Sequence, residues 1–261
     1  MKYACSKILL ICLCLFPLKG SGQKPAQVKF DRITTDDGLS QGMVNSILQD
    51  RYGFMWFASN DGLNRYDGNN FTVYKNDPND NNSIADNFIR YLFEDSAGRV
   101  WIATAGNGLD LFDRTTETFV HFKYSAENTN SISDNSITSI DEDKLGGIWV
   151  GTLHGLNRLL IKDRKDIKKT VERAGDATES FLLEHTVSFT KIIFDTADPK
   201  RELYARDPTF PLADWRASNF HVDQQGFIWV SAQKRLFRIK PLVDARYQLE
   251  NLPVEAYMPL L

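Results

Sequence analysis

The sequence predicts an all-β chain: about four four-stranded blades of an incomplete β-propeller, following an N-terminal signal peptide. A gapless pattern recurs four times, at V-N-S-I-L-Q-D-R-Y-G-F-M-W (44–56), I-R-Y-L-F-E-D-S-A-G-R-V-W (89–101), I-T-S-I-D-E-D-K-L-G-G-I-W (137–149) and A-S-N-F-H-V-D-Q-Q-G-F-I-W (217–229). The Trp-to-Trp distances are 45, 48 and 80, and the first two suit one four-stranded blade per repeat. Composition agrees, since 17 Phe, 9 Tyr and 5 Trp against 4 Met favour pleated, half-buried surfaces. With 42% hydrophobic residues in 261, the chain can bury a core.

Residues 1–22 stand apart. Lys2 and Lys7 precede an apolar run from Ile8 to Leu18, and Gly20, Ser21 and Gly22 lead into Gln23. A charged front, a short apolar centre and a small-residue exit define a secretory signal peptide, with cleavage expected near Gly22. All three cysteines (Cys5, Cys12, Cys14) lie in this segment, so the mature chain needs neither a disulfide nor a thiolate metal site. Loss of Lys2, Lys7 and Lys19 with no acidic residue takes the formal charge from −3 to −6. An acidic exported domain is a poor ligand for nucleic acid, which wants a basic face. No later stretch is apolar for long enough to cross a bilayer as a helix.

Residues 23–160 hold the blades around Trp56, Trp101 and Trp149. In the first, 44–49 form a strand and Asp50 to Gly53 a tight turn, in which Asp hydrogen-bonds its own backbone and Gly takes a positive φ. Residues 54–58 return with Trp56 packed inward; Asp61-Gly62 signals another hairpin, followed by strands at 63–66 and 71–74. One such sheet cannot bury both faces, and radial stacking lets each Trp fill the space between blades. The twelve repeat residues are therefore structural: Asp50, Gly53, Trp56, Asp95, Gly98, Trp101, Asp143, Gly146, Trp149, Asp223, Gly226 and Trp229. Calcium at the Asp turns would need five or more converging oxygens, and one Asp per turn does not supply them. Residues 161–216 are expected to be an insertion or a degenerate blade, and 217–261 a truncated fourth repeat.

The motifs D-D-G-L-S (36–40), D-x-x-G-x-x-W followed by D-G-L-N-R-Y (61–66), and the spacer D-P-N-D-N-N-S-I (77–84) resemble the two-component regulator propeller family over about 24–160 and partly over 217–240. The resemblance implies a periplasmic sensor of a Bacteroidetes hybrid two-component system. In that family a signal peptide leads into seven-bladed propellers, an immunoglobulin-like domain, a membrane helix, a histidine kinase, a receiver and usually a helix-turn-helix domain, and many members are thought to sense glycan breakdown products. Here the family pattern implies an N-terminal piece of a sensor, a fragment or truncated product without the kinase. Its implied partners are the remaining blades and the kinase portion, an oligosaccharide ligand, and a second copy in a homodimer. Its implied place is the periplasm, tethered in full-length relatives to the inner membrane.

No chemistry of its own is expected. His121, His154, His185 and His221 are scattered without ligand spacing, so neither a metal nor a cofactor is implied. G-N-G-L-D-L from Gly106 opens no helix and is not a dinucleotide loop. K-D-R-K-D-I-K-K (162–169) mixes signs and reads as a solvated loop or short helix. Ligands of propellers are usually held by loops at one channel mouth, which makes Asn60, Asp61, Asn107 and His154 candidates, although turn formation explains them equally well. The alternatives are a propeller hydrolase or lyase acting on polysaccharide, and a periplasmic protein-interaction scaffold.

Overall fold

A computed structural model describes residues 30–163, 185–192, 217–232, 235–241 and 247–251; the signal peptide and the three cysteines lie outside them. The chain divides into Met1–Arg32 and Ile33–Leu261, and the second unit holds every strand of the described residues. Among the described residues there is no α-helix.

A single 3₁₀ turn, Thr35–Asp37, opens the second unit, closed by a capping box between Thr34 and Asp37 and by Gly38 at φ 107°. Sixteen strands follow among the described residues. The first sheet is β1 (Val44–Gln49), β2 (Met55–Ser59), β3 (Gly62–Tyr66) and β4 (Phe71–Tyr74); the second is β5 (Ile89–Glu94), β6 (Val100–Thr104), β7 (Leu109–Asp113) and β8 (Thr118–Phe122). The third is β9 (Ile137–Glu142), β10 (Ile148–Thr152), β11 (Gly155–Asp163) and β12 (His185–Ile192), and the fourth is β13 (Ala217–Val222), β14 (Ile228–Ala232), β15 (Arg235–Pro241) and β16 (Tyr247–Asn251). Each sheet is an antiparallel meander in chain order. The four are consecutive propeller blades.

Two details depart from the domain plan read in the sequence. The third blade takes its outer strand, β12, from within 161–216, and the fourth repeat has four strands rather than a truncated set. In both places the chain carries strand residues beyond the recognisable motif, where Val, Phe and Ile serve the sheet without repeating a fingerprint.

Between the first two blades, Trp56, Ala58 and Leu63 meet Ile84, Ile89, Leu92, Val100, Ile102, Phe112 and Phe119 in one buried cluster. Trp101, Leu109, Leu111 and Phe122 meet Ile132, Ile137, Ile140, Ile148, Val150 and Leu159 in the next. The first and second blades thus present their Trp faces to the blade that follows. Trp56, Trp101 and Trp149 are completely buried, and Trp56 also meets Phe112 edge-on at 5.0 Å.

The blades are also hooked together. Glu94 accepts the backbone N–H of Arg51 (2.9 Å) and its side-chain Nε–H (3.2 Å) from the preceding blade, and Glu142 accepts the N–H and Oγ–H of Ser96 (2.6 Å each). At the third joint Val222 stands where the other two blades carry the glutamate; there Asp141 reaches forward instead, accepting the N–H of Val222 at 2.7 Å and meeting Nδ1 of His221 at 2.9 Å.

Candidate functional site

The two ends of each blade are built for different work. At one end lie the Asp-x-x-Gly turns, where Gly53, Gly98, Gly146 and Gly226 have φ between 77° and 91° and donate their N–H to the carbonyls of Asp50, Asp95, Asp143 and Asp223, each at 2.9 Å. The Asp side chain does more than form a turn. Its Oδ1 accepts the N–H four residues on, from Phe54, Arg99, Gly147 and Phe227, at 2.9–3.0 Å. Its Oδ2 accepts the indole Nε1–H of Trp56, Trp101, Trp149 or Trp229 at 2.8–2.9 Å. An arginine completes three of the four: Arg114 to Asp50 (2.8 Å), Arg99 to Asp95 (2.6 Å) and Arg158 to Asp143 (2.6 Å).

These bonds set the charge state. Burial pushes the Asp50 carboxyl up, but the Trp56 indole, the Arg114 guanidinium and the Phe54 amide outweigh it and hold it below the ordinary value. Burial opposes Asp143 and Asp223 in the same way; Arg158, the Gly147 amide and the Trp149 indole win at the first, and Trp229 with three backbone amides wins at the second. In every repeat the Asp carboxylate, the Gly N–H and the Trp indole N–H are thus hydrogen-bonded within their own blade.

The opposite end holds the β2–β3 turn and its equivalents, and it carries a feature that the sequence pattern did not announce. The first strand of every blade contains a bulge at its second residue, which leaves Asn45, Arg90, Thr138 and Ser218 without a ladder partner. Bulges re-aim side chains, and they recur beside functional sites. Asn45 donates to Asn60 Oδ1 (2.7 Å) and to the carbonyl of Ile89 in the next blade (2.8 Å). Arg90 lies 5.9 Å from the Phe88 ring centroid, Thr138 Oγ1 is buried without a hydrogen-bond partner, and Phe88 and Tyr91 are exposed beside them. Burial, reinforced by the Asp141 carboxylate, pushes the Tyr91 phenol up and keeps it a neutral hydroxyl.

The four loop candidates all fall at this end, each engaged locally. Asn60 meets Asn45, Asp61 pairs with Lys75 (2.8 Å), Asn107 donates to Asp86 (3.1 Å) and His154 Nδ1 meets Asp134 (2.6 Å). Asn107 and His154 thereby tie a turn to the connector entering the same blade. A deeper tie sits below them: Asn64, Asp110 and Asn157, fully buried on the third strand of their blades, accept the N–H of Ser40 (2.8 Å), Ala85 (2.7 Å) and Ser133 (3.0 Å) on those connectors. Sequence reasoning passed over both devices; the signal available was the recurrence of G-L-N, G-L-D and G-L-N at 62–64, 108–110 and 155–157. Chemically this end offers amides, a guanidinium, hydroxyls and exposed rings. Such a set hydrogen-bonds and stacks on a polar ligand.

Fold and site together define a β-propeller of repeated four-stranded blades. Residues 38–61, 83–106 and 131–154 match the family described as Two component regulator propeller. The chain is 46% identical over 56 residues to histidine kinase P4 of Formosa agariphila, a match covering 22% of this chain and 4% of that one. It is similar to the crystal structure of the extracellular domain of a hybrid two component system from B. thetaiotaomicron, with 25% identity, a TM-score of 0.50, and coverage of 87% of this chain and 36% of that one. A second such extracellular domain from the same organism shares 21% identity and a TM-score of 0.45, covering 87% and 33%. Three repeats of the chain thus match the two-component regulator propeller family, and the chain spans about a third or less of the length of these relatives.

Proposed function

We propose that the chain is a ligand-sensing or signal-relaying propeller segment of the periplasmic part of a hybrid two-component sensor, responding to glycan-derived oligosaccharides and catalysing no reaction. The observation that carries it is the joint match of three family repeats and of a hybrid-system extracellular domain over 87% of this chain. The bulge-bearing end supports a polyhydroxylated ligand, because Arg90 offers a guanidinium, Asn45 an amide oxygen, and Phe88 and Tyr91 exposed ring faces. Its partners are the further blades and the kinase portion of a longer sensor, with a homodimer as the assembled form.

Isothermal titration of the purified protein with a panel of oligosaccharides tests this. Binding should be weakened by at least about tenfold in Arg90→Ala, a loss of roughly 1.4 kcal/mol, with every saccharide recovered intact. Cleavage of any member would replace the sensor with a propeller hydrolase or lyase, and binding unaffected by Arg90→Ala would move the site elsewhere.

A further inference from the structure

The second blade departs from its neighbours at the buried tie to its connector. The first and third blades use an amide there, Asn64 and Asn157, which cannot titrate; the second uses Asp110, completely buried in β7. Opposite Asp110 in the antiparallel register stands His121 of β8, where the first blade has Val73 opposite Asn64. Asp110 Oδ1 lies 2.7 Å from His121 Nδ1, and Asp110 Oδ2 accepts the N–H of Ala85 at 2.7 Å. The other ring nitrogen, Nε2, lies 2.9 Å from the carbonyl oxygen of Asn81, and Phe119 of the same strand donates its N–H to the carbonyl of Asn82 at 3.0 Å. One pair of side chains therefore fastens both the end of the 77–84 spacer and the residue that follows it.

Protonation decides whether this fastening is complete. A carboxylate and a carbonyl are both acceptors, so an imidazole between them satisfies both only when each ring nitrogen bears a proton, or when Asp110 itself takes the shared one. Removing that proton leaves one N–H for two acceptors; it stays with the buried Asp110, and Nε2 then faces the exposed Asn81 carbonyl lone pair to lone pair, so that contact is lost to water. We infer that Asp110 and His121 form a proton-controlled latch, which holds the 77–84 spacer on the second blade while the pair keeps its shared proton and loosens it when the proton leaves. The charged groups around the ring are Asp110 from β7, which favours the imidazolium, and Lys123 just beyond β8, which opposes it; the spacer presents the neutral Asn81 carbonyl. Burial pulls His121 down, but the bond and charge of Asp110 outweigh it and raise it above the ordinary histidine value, while burial raises Asp110. Both shifts mean that the folded state binds protons more tightly than the unfolded one. The contribution of His121 is fully present below the ordinary histidine value of about 6.5 and is lost as pH rises through its raised folded value.

Hydrogen exchange of the full chain tests the latch, with protection of 77–85 followed from about pH 6 to about pH 9 and corrected for intrinsic exchange. Protection should fall by about tenfold or more in the wild type. It should stay level in Asp110→Asn/His121→Val, which rebuilds the Asn64–Val73 pairing of the first blade. Equal pH dependence in the two proteins overturns the inference. Should the double variant not fold, the ring of His121 is titrated by NMR in the wild type: a midpoint above the ordinary range supports the latch, and one at or below it refutes it.

Discussion

An aspartate here divides its two oxygens between two tasks. One holds the backbone of a turn, and the other receives the indole of a tryptophan six residues on, whose ring is then fixed in the seam between blades. The turn was legible in the sequence, because Asp and Gly at that spacing have few other uses. The indole bond was not, since it exists only after the hairpin has brought the sixth residue back beside the first. Truncating Trp101, completely buried, should cost roughly 3–5 kcal/mol in denaturant unfolding, as large-to-small core changes do; less than about 1 kcal/mol would mean that the ring does not hold the seam. Asp95→Ala leaves the Trp101 indole and the Arg99 amide without their acceptor and should cost about 1–3 kcal/mol. Loss at neither position would remove the staple from the folding account.

At the scale of strands, the hairpins were read to within a residue or two: 54–58 for β2, found at Met55–Ser59, and 63–66 for β3, found at Gly62–Tyr66. What period and turn chemistry did not disclose was the bulge at Asn45, Arg90, Thr138 and Ser218, because an extra residue in one strand is defined only against its partner. The connector tie escaped for a similar reason: Asn157 lies 24 residues from the Ser133 amide it receives. Replacing Asn157 by Leu keeps the branching pattern with somewhat more bulk but strands that N–H, and also removes the bonds from Nδ2 to Ser133 Oγ and the Val150 carbonyl. The expected cost is about 1–3 kcal/mol, with faster exchange confined to 131–136 as its signature. Uniform destabilisation without that local signature would show Asn157 to be a packing residue only. The turn glycine of the second blade is equally constrained, since Gly108 has φ 96° and a Cβ there would meet the Phe122 carbonyl oxygen at 2.5 Å.

For the whole molecule, the blades are unequal in what covers them. The second blade buries one face against the first and the other against the third, so its central strands should exchange most slowly of all; exchange as slow in β13–β16 would contradict a nearest-neighbour account. Acid should unfold the array by a defined route. Asp50, Asp143 and Asp223 titrate below their ordinary value when folded, so their contribution is present above about pH 4 and is lost as pH falls through the depressed folded values. Denaturant midpoints should therefore drop below about pH 4, and should drop less in a protein carrying Asp143→Asn. Each sheet, finally, draws its four strands from a single run of chain, in order, without borrowing from a neighbour. In the language of genes, a block of 45 to 48 codons encodes each of the first two blades together with the surface that offers itself to the one after. Duplication or loss of such a block in frame leaves every surviving seam as it was, so blade number can drift in a lineage while the folding rules of each blade stay untouched.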